Sequence, residues 1–122
     1  LKLKTTKRDR QHGAPSLHKY LWTKPMPIFV RALVLTDKTL AVAGPPEPSE
    51  ARTSNMKLKA PEKIESAFGG EQGAVIRLVS TADGKTLSEY KLDSSPIFDG
   101  MIAADKKIYI ALQDGSIACF GK

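Results

Sequence analysis

Pro27-Ile28-Phe29, then Ala32-Leu33-Val34-Leu35, then Asp37-Lys38-Thr39-Leu40-Ala41-Val42-Ala43 is the stretch that decides the fold. It returns as Pro96-Ile97-Phe98, Met101-Ile102-Ala103-Ala104 and Asp105-Lys106-Lys107-Ile108-Tyr109-Ile110-Ala111, with one single-residue gap between the copies. Upstream, Leu17-His18-Lys19-Tyr20 matches Leu87-Ser88-Glu89-Tyr90; downstream, Gly73-Ala74-Val75-Ile76 matches Gly115-Ser116-Ile117-Ala118. Chance similarity between two apolar strands is common, whereas four matched segments in the same order point to an internal repeat.

Each segment reads as a strand. Ala32–Leu35, Leu40–Ala43 and Ile108–Leu112 are continuous apolar runs, the pattern of strands covered on both faces. Leu87–Leu92 alternates, with Ser88, Tyr90 and Leu92 on one face and Leu87, Glu89 and Lys91 on the other, as in a half-solvated outer strand. Asp83-Gly84 and Asp114-Gly115 fall between strands, where glycine supplies the positive φ of a tight hairpin.

The copies are offset by about 70 residues at their start, but the stretch 45–72 has no counterpart in the second. Without it the period is about 42, the length of a four-stranded propeller blade. The expected fold is therefore all-β, with about two antiparallel four-stranded blades, the last one incomplete. The count is one outer strand over about Leu17–Thr23, a full blade of four, and three strands ending at Phe120. Two blades close no ring, and the missing fourth strand leaves an open edge that propellers fill from the other end of the chain. The expected partners are accordingly the remaining blades or a complementary chain.

Within the insert, Pro45, Pro46 and Pro48 end a strand, because proline cannot donate to the ladder. Pro61-Glu62-Lys63-Ile64-Glu65-Ser66-Ala67-Phe68, followed by Gly69-Gly70, has proline and acid in its first turn and glycine at its exit, which predicts one short helix. Such a helix is expected over a blade edge or pocket, the alternative being a mobile excursion without a task.

Of 122 residues, 41% are hydrophobic and 26% charged, near the globular average. No apolar run approaches the roughly 20 residues of a membrane span. The net charge of +6 is local: residues 1–24 hold seven basic residues against Asp9, and the remainder is neutral. Residues 1–16 thus form a basic arm or linker ahead of a blade segment over 17–122. Lys2, Lys4, Lys7, Arg8 and Arg10 offer possible anion contacts, but no aromatics interleave them, so nucleic acid is a poor fit.

Few residues carry chemistry. His12 and His18 lack converging partners, and Ser94 and Ser95 lack a glycine-rich elbow. Asp99, Asp105 and Asp114 read as turn residues, since no dense alternating calcium loop surrounds them. Gly69, Gly70 and Gly73 lack the lysine and serine of a phosphate cradle. Cys119, the single cysteine, sits between Ala118 and Phe120 and is expected as a buried inert thiol. Trp22, ahead of Pro25 in an outer strand, is expected to pack between blades.

The run from Gly73 to Leu87, together with Ala43-Gly44-Pro45-Pro46, Ser80-Thr81-Ala82-Asp83-Gly84-Lys85, Glu89-Tyr90-Lys91-Leu92, Phe98-Asp99-Gly100-Met101 and Asp114-Gly115-Ser116-Ile117-Ala118-Cys119-Phe120-Gly121, resembles pyrroloquinoline-quinone-like propeller repeats. It is similar to the C-terminal end of planctomycete-type proteins carrying them, over about Pro15 to Lys122. The family's docking tryptophan is absent from Thr86-Leu87-Ser88-Glu89-Tyr90, where Tyr90 is the candidate for the same inter-blade space. No residue set matches the family's quinone and calcium ligands, so no cofactor is assigned. The resemblance implies a cell-envelope protein, periplasmic or secreted, in which this stretch has a structural or protein-interaction role without catalysis. A fragment of a quinone-dependent dehydrogenase and an anion-binding module acting through the arm are the alternatives.

Overall fold

A computed structural model describes residues 19–48 and 61–121. Seven strands and one helix follow in the order β1 (Ala32–Leu35), β2 (Thr39–Gly44), α1 (Pro61–Phe68), β3 (Ala74–Ser80), β4 (Thr86–Leu92), β5 (Pro96–Ala104), β6 (Lys107–Leu112) and β7 (Ile117–Gly121). They form two antiparallel meanders, a four-stranded sheet β1-β2-β3-β4 and a three-stranded sheet β5-β6-β7. The all-β character, the antiparallel sheets of four and three strands, and a helix over Pro61–Phe68 agree with the sequence reading. No helix among the described residues is long and apolar enough to cross a membrane.

Alternation assigns the faces. In sheet one, Ala32, Val34, Ala41, Ala43, Ala74, Ile76, Leu78 and Leu92 join one core with Met101, Ile108, Ile110, Leu112, Ala118 and Phe120 of sheet two. The register agrees, because Ala43 lies opposite both Ala32 and Ile76, and Ile110 lies opposite both Met101 and Ala118. Burial of this face supplies the main stabilisation, at about 25 cal/mol per Å² of apolar surface. β1 lies alongside β5, and Tyr90 of β4 reaches Phe120 of β7.

The opposite sides are less covered. Leu33 and Leu35 of β1 are 57% and 66% exposed, although Val42 and Val79 on the same side are buried. Continuous apolarity in β1 therefore does not mean cover on both faces; β1 is an edge strand.

The hairpin turns match between the two sheets, while the faces turned to the core do not. Asp105 and Lys106 both have positive φ and close a two-residue turn with Ala104 opposite Lys107, the geometry of a type I′ turn. Between β1 and β2, Leu35 pairs with Leu40, and the Thr36 N–H donates to the Thr39 carbonyl at 2.8 Å. Both hairpins therefore enclose two residues, Asp37-Lys38 and Asp105-Lys106, in the same register. The alignment sets Ala41 against Tyr109, yet Ala41 faces the core and Tyr109 the other side of its sheet. The aligned hairpins thus keep their register and turn opposite faces to the shared core.

The expected outer strand over Leu17–Thr23 is not a strand at its described residues 19–23, while Leu17 lies outside them. The chain instead forms a strap. Trp22 Nε1 donates to the Thr81 carbonyl at 2.8 Å and Lys24 Nζ to that of Gly84 at 3.1 Å, at the β3–β4 turn. Ile28 then bridges Pro46 beyond the far end of β2. The strap thus runs the length of sheet one, from the β3–β4 corner to the start of β1. Gly84, at φ 76°, admits the indole, since a Cβ there would stand 2.7 Å from a ring carbon.

Candidate functional site

The Pro-Ile-Phe repeats both stand at an irregularity of the first strand of a sheet, and these irregularities meet. The Arg31 N–H donates to the Ala43 carbonyl at 2.9 Å while Ala32 is the register partner of Ala43. Two residues thus oppose one, which is a β-bulge. On the other sheet the register breaks between Pro96 and Met101, where five steps of β5 match two of β6. Asp99 at the break has φ 56°, and its N–H donates to the Arg31 carbonyl at 3.0 Å. Beyond the first bulge, Phe29 N–H donates to the Pro45 carbonyl. A Cβ on Gly44 would lie 1.9 Å from the Phe29 carbonyl oxygen, so only glycine permits this approach.

A bulge re-aims its side chain, and Arg31 enters an aromatic stack. Its guanidinium carbon lies 4.9 Å from the Phe68 ring centroid and 5.0 Å from that of Phe98. Phe29 meets Phe68 edge-on at 5.7 Å. The Arg31 Nη2 also donates to the Phe68 carbonyl, in the last turn of α1, where the helix dipole favours a cation. No carboxylate is found against this buried guanidinium among the described residues. Two ring faces and a helix C-terminus compensate it, leaving Nε without a hydrogen bond.

Below the exit of α1, Ser95 Oγ is the second buried polar atom without a partner, near Gly70 at φ 86°. Beside the stack, Pro25 to Val30, Glu47 and Phe68 line a groove of about 810 Å³. The helix therefore covers a sheet junction and borders a groove, as the sequence predicted for it. This junction was not legible beforehand; its signal was an arginine just ahead of an apolar strand, paired with the repeated phenylalanine.

The named residues fall elsewhere. Tyr90 stacks on Phe120 with centroids 5.6 Å apart, bridging β4 of sheet one and β7 of sheet two. Trp22 packs on the β3–β4 turn of sheet one. Lys2, Lys4, Lys7, Arg8, Arg10, His12 and His18 lie outside the described residues. Ser94 Oγ accepts from the Asp114 N–H at 3.2 Å. Asp114 Oδ1 in turn accepts from the Ser116 N–H at 2.8 Å and the Ser116 hydroxyl. These bonds, the hydroxyl first and the N–H second, hold the Asp114 carboxyl below its ordinary value. Cys119 corrects an expectation: its thiol is exposed, because it points away from the core on the far side of an edge strand. Among the described residues no three of His, Cys, Asp and Glu gather as a metal site.

No family model, no curated protein and no solved structure matches this chain.

Proposed function

We propose that the chain is a non-catalytic segment of a β-propeller, with a structural or protein-interaction role, and that its two sheets are successive blades. The observation that carries this reading is the placement of β5 beside β1 rather than beside β4. In a meander folded back on itself, the sheet that follows β4 begins beneath β4. Here the chain returns to the opposite edge before starting again, which is how blades succeed one another.

The hairpin registers give independent support. Thr36 bonds Thr39, so by alternation the core-facing Ala32 and Val34 stand in hydrogen-bonded pairs with β2. The turn at Asp105-Lys106 makes Ala104↔Lys107 the hydrogen-bonded pair, so core-facing Met101 stands in a non-hydrogen-bonded one. For L-residues on a strand drawn upward, a viewer-facing side chain in a hydrogen-bonded pair has its partner strand on the right. Seen from the core, β2 lies right of β1 and β6 left of β5. The sheets touch through opposite faces, as stacked blades do, not through equivalent faces.

The experiment is NMR on the dilute full chain. Methyl contacts between β1 and β5, and ring contacts between Tyr90 and Phe120, are expected; contacts that set β4 over β5 overturn the arrangement. The role is tested by adding a fragment carrying the neighbouring repeats, which is expected to raise the unfolding midpoint. An unchanged midpoint removes it.

A further inference from the structure

We infer that a second copy of this chain docks head to tail on sheet one, its β7 pairing with the Trp22 strap of the first. This rests on the blade reading above and adds the partner. Two deficits on the chain match. Among the described residues sheet two has three strands and none paired along the outer side of β7. Sheet one carries on its side a segment that belongs to neither described sheet, held at Trp22 and Lys24 by side chains reaching the β3–β4 turn. One chain supplies three strands of a blade, and the other supplies the fourth.

Direction and exposure agree with the match. The strap runs from the β3–β4 corner toward the start of β1. β7 runs the opposite way along the equivalent axis, since Gly121 lies at the β5–β6 turn end, so the pairing is antiparallel. Leu21 of the strap is 85% exposed, and Leu33 and Leu35 lie open on the inner strand. The surface that would cover them is the far side of sheet two, where Ile102 and Ile117 are 62% and 72% exposed and Cys119 is free. It continues the existing contact by the same opposite-face rule. A heterologous contact of this kind builds rings or open chains rather than a two-fold dimer.

The test uses the full chain and two variants. Sedimentation velocity from low to high micromolar concentration is expected to show growing species. The Cys119 thiol, titrated with a disulfide reagent, is expected to lose at least tenfold in rate on assembly. Ile117→Pro blocks the β7 edge, and the paired change Leu33→Asp with Leu35→Asp blocks the receiving face. Each variant alone is expected to stay monomeric with an unchanged circular dichroism spectrum, and the two mixed are expected to stop at a one-to-one dimer. The mixed result is decisive even where one variant is destabilised, because each retains the face that the other lacks. A chain that remains monomeric with reactive Cys119 throughout overturns the inference, as does a dimer insensitive to both variants. If that monomer still shows β1–β5 contacts by NMR, the blade reading survives and only the partner is wrong.

Discussion

Sheet one meets the shared core with four alanines, Ala32, Ala41, Ala43 and Ala74, beside Val34, Ile76, Leu78 and Leu92, whereas sheet two places one alanine, Ala118, among Met101, Ile108, Ile110, Leu112 and Phe120. Small residues let the backbones approach, and large ones fill the space so gained. The difference teaches that the two sheets meet as unlike halves rather than as equivalent ones. Identity between them survives in the Pro-Ile-Phe and Asp-Lys signals of entry and turn, not in the packing positions.

The strongest break in that comparison is Ile110→Ala, which removes a fully buried side chain from the larger half. It is expected to cost about 3 kcal/mol, as for other buried isoleucines. Ala43→Ile overfills the smaller half and is expected to cost about 2 kcal/mol. If the halves are complementary, the double variant recovers at least about 1 kcal/mol of the summed loss. Urea unfolding of all four proteins reads this directly; strict additivity shows that the two positions fill separate spaces.

Much of the architecture was visible because it is written in local patterns. Proline and glycine bracketed α1, Asp-Gly marked two hairpins, and alternation in β4 announced a half-solvated strand, which lies at a sheet edge. Two things were hidden. Aligned residues such as Ala41 and Tyr109 take opposite faces relative to the core although their hairpins match in length, and similarity scores residue type, not the side of the sheet that meets the core. The exposure of Cys119 followed from β7 being an edge, which composition around the cysteine does not encode. The Arg31 stack was hidden for another reason: it joins residues from three elements, and no spacing within one segment signals it.

The strap distinguishes sheet one from sheet two, and Trp22→Ala asks how much it matters. The change removes the bond to Thr81 and the cover over Gly84, for an expected loss of about 2 kcal/mol given partial burial. Hydrogen exchange is expected to accelerate in the β3–β4 hairpin and to stay unchanged in β5 to β7. Equal acceleration in both sheets shows that the strap supports the whole molecule. A smaller effect belongs to the bridge between the sheets. Tyr90→Leu keeps much of the apolar volume but removes the ring pair with Phe120, and is expected to cost about 1 kcal/mol. The same change paired with Phe120→Leu isolates the ring–ring part, and a coupling near zero makes the pair mere adjacency.

The least costly contrast lies in the two Asp-Gly turns. Asp83 of sheet one accepts the Lys85 N–H at 3.0 Å, whereas Asp114 of sheet two accepts both the N–H and the hydroxyl of Ser116. Only the charged carboxylate accepts both bonds fully, so folding holds the Asp114 proton affinity below that of the unfolded chain. Its contribution is therefore complete above the ordinary carboxyl value of about 4 and is lost as pH falls through the lower folded value. Asp114→Asn keeps an acceptor and discards the titration. Near neutral pH the variant is expected to be slightly less stable than the parent, and the gap is expected to close as the solution is acidified below that range. Urea midpoints across the acid limb measure it. A gap that stays constant to the lowest pH means that the Ser116 bonds do not depend on the charge, and then the two turns differ in geometry alone.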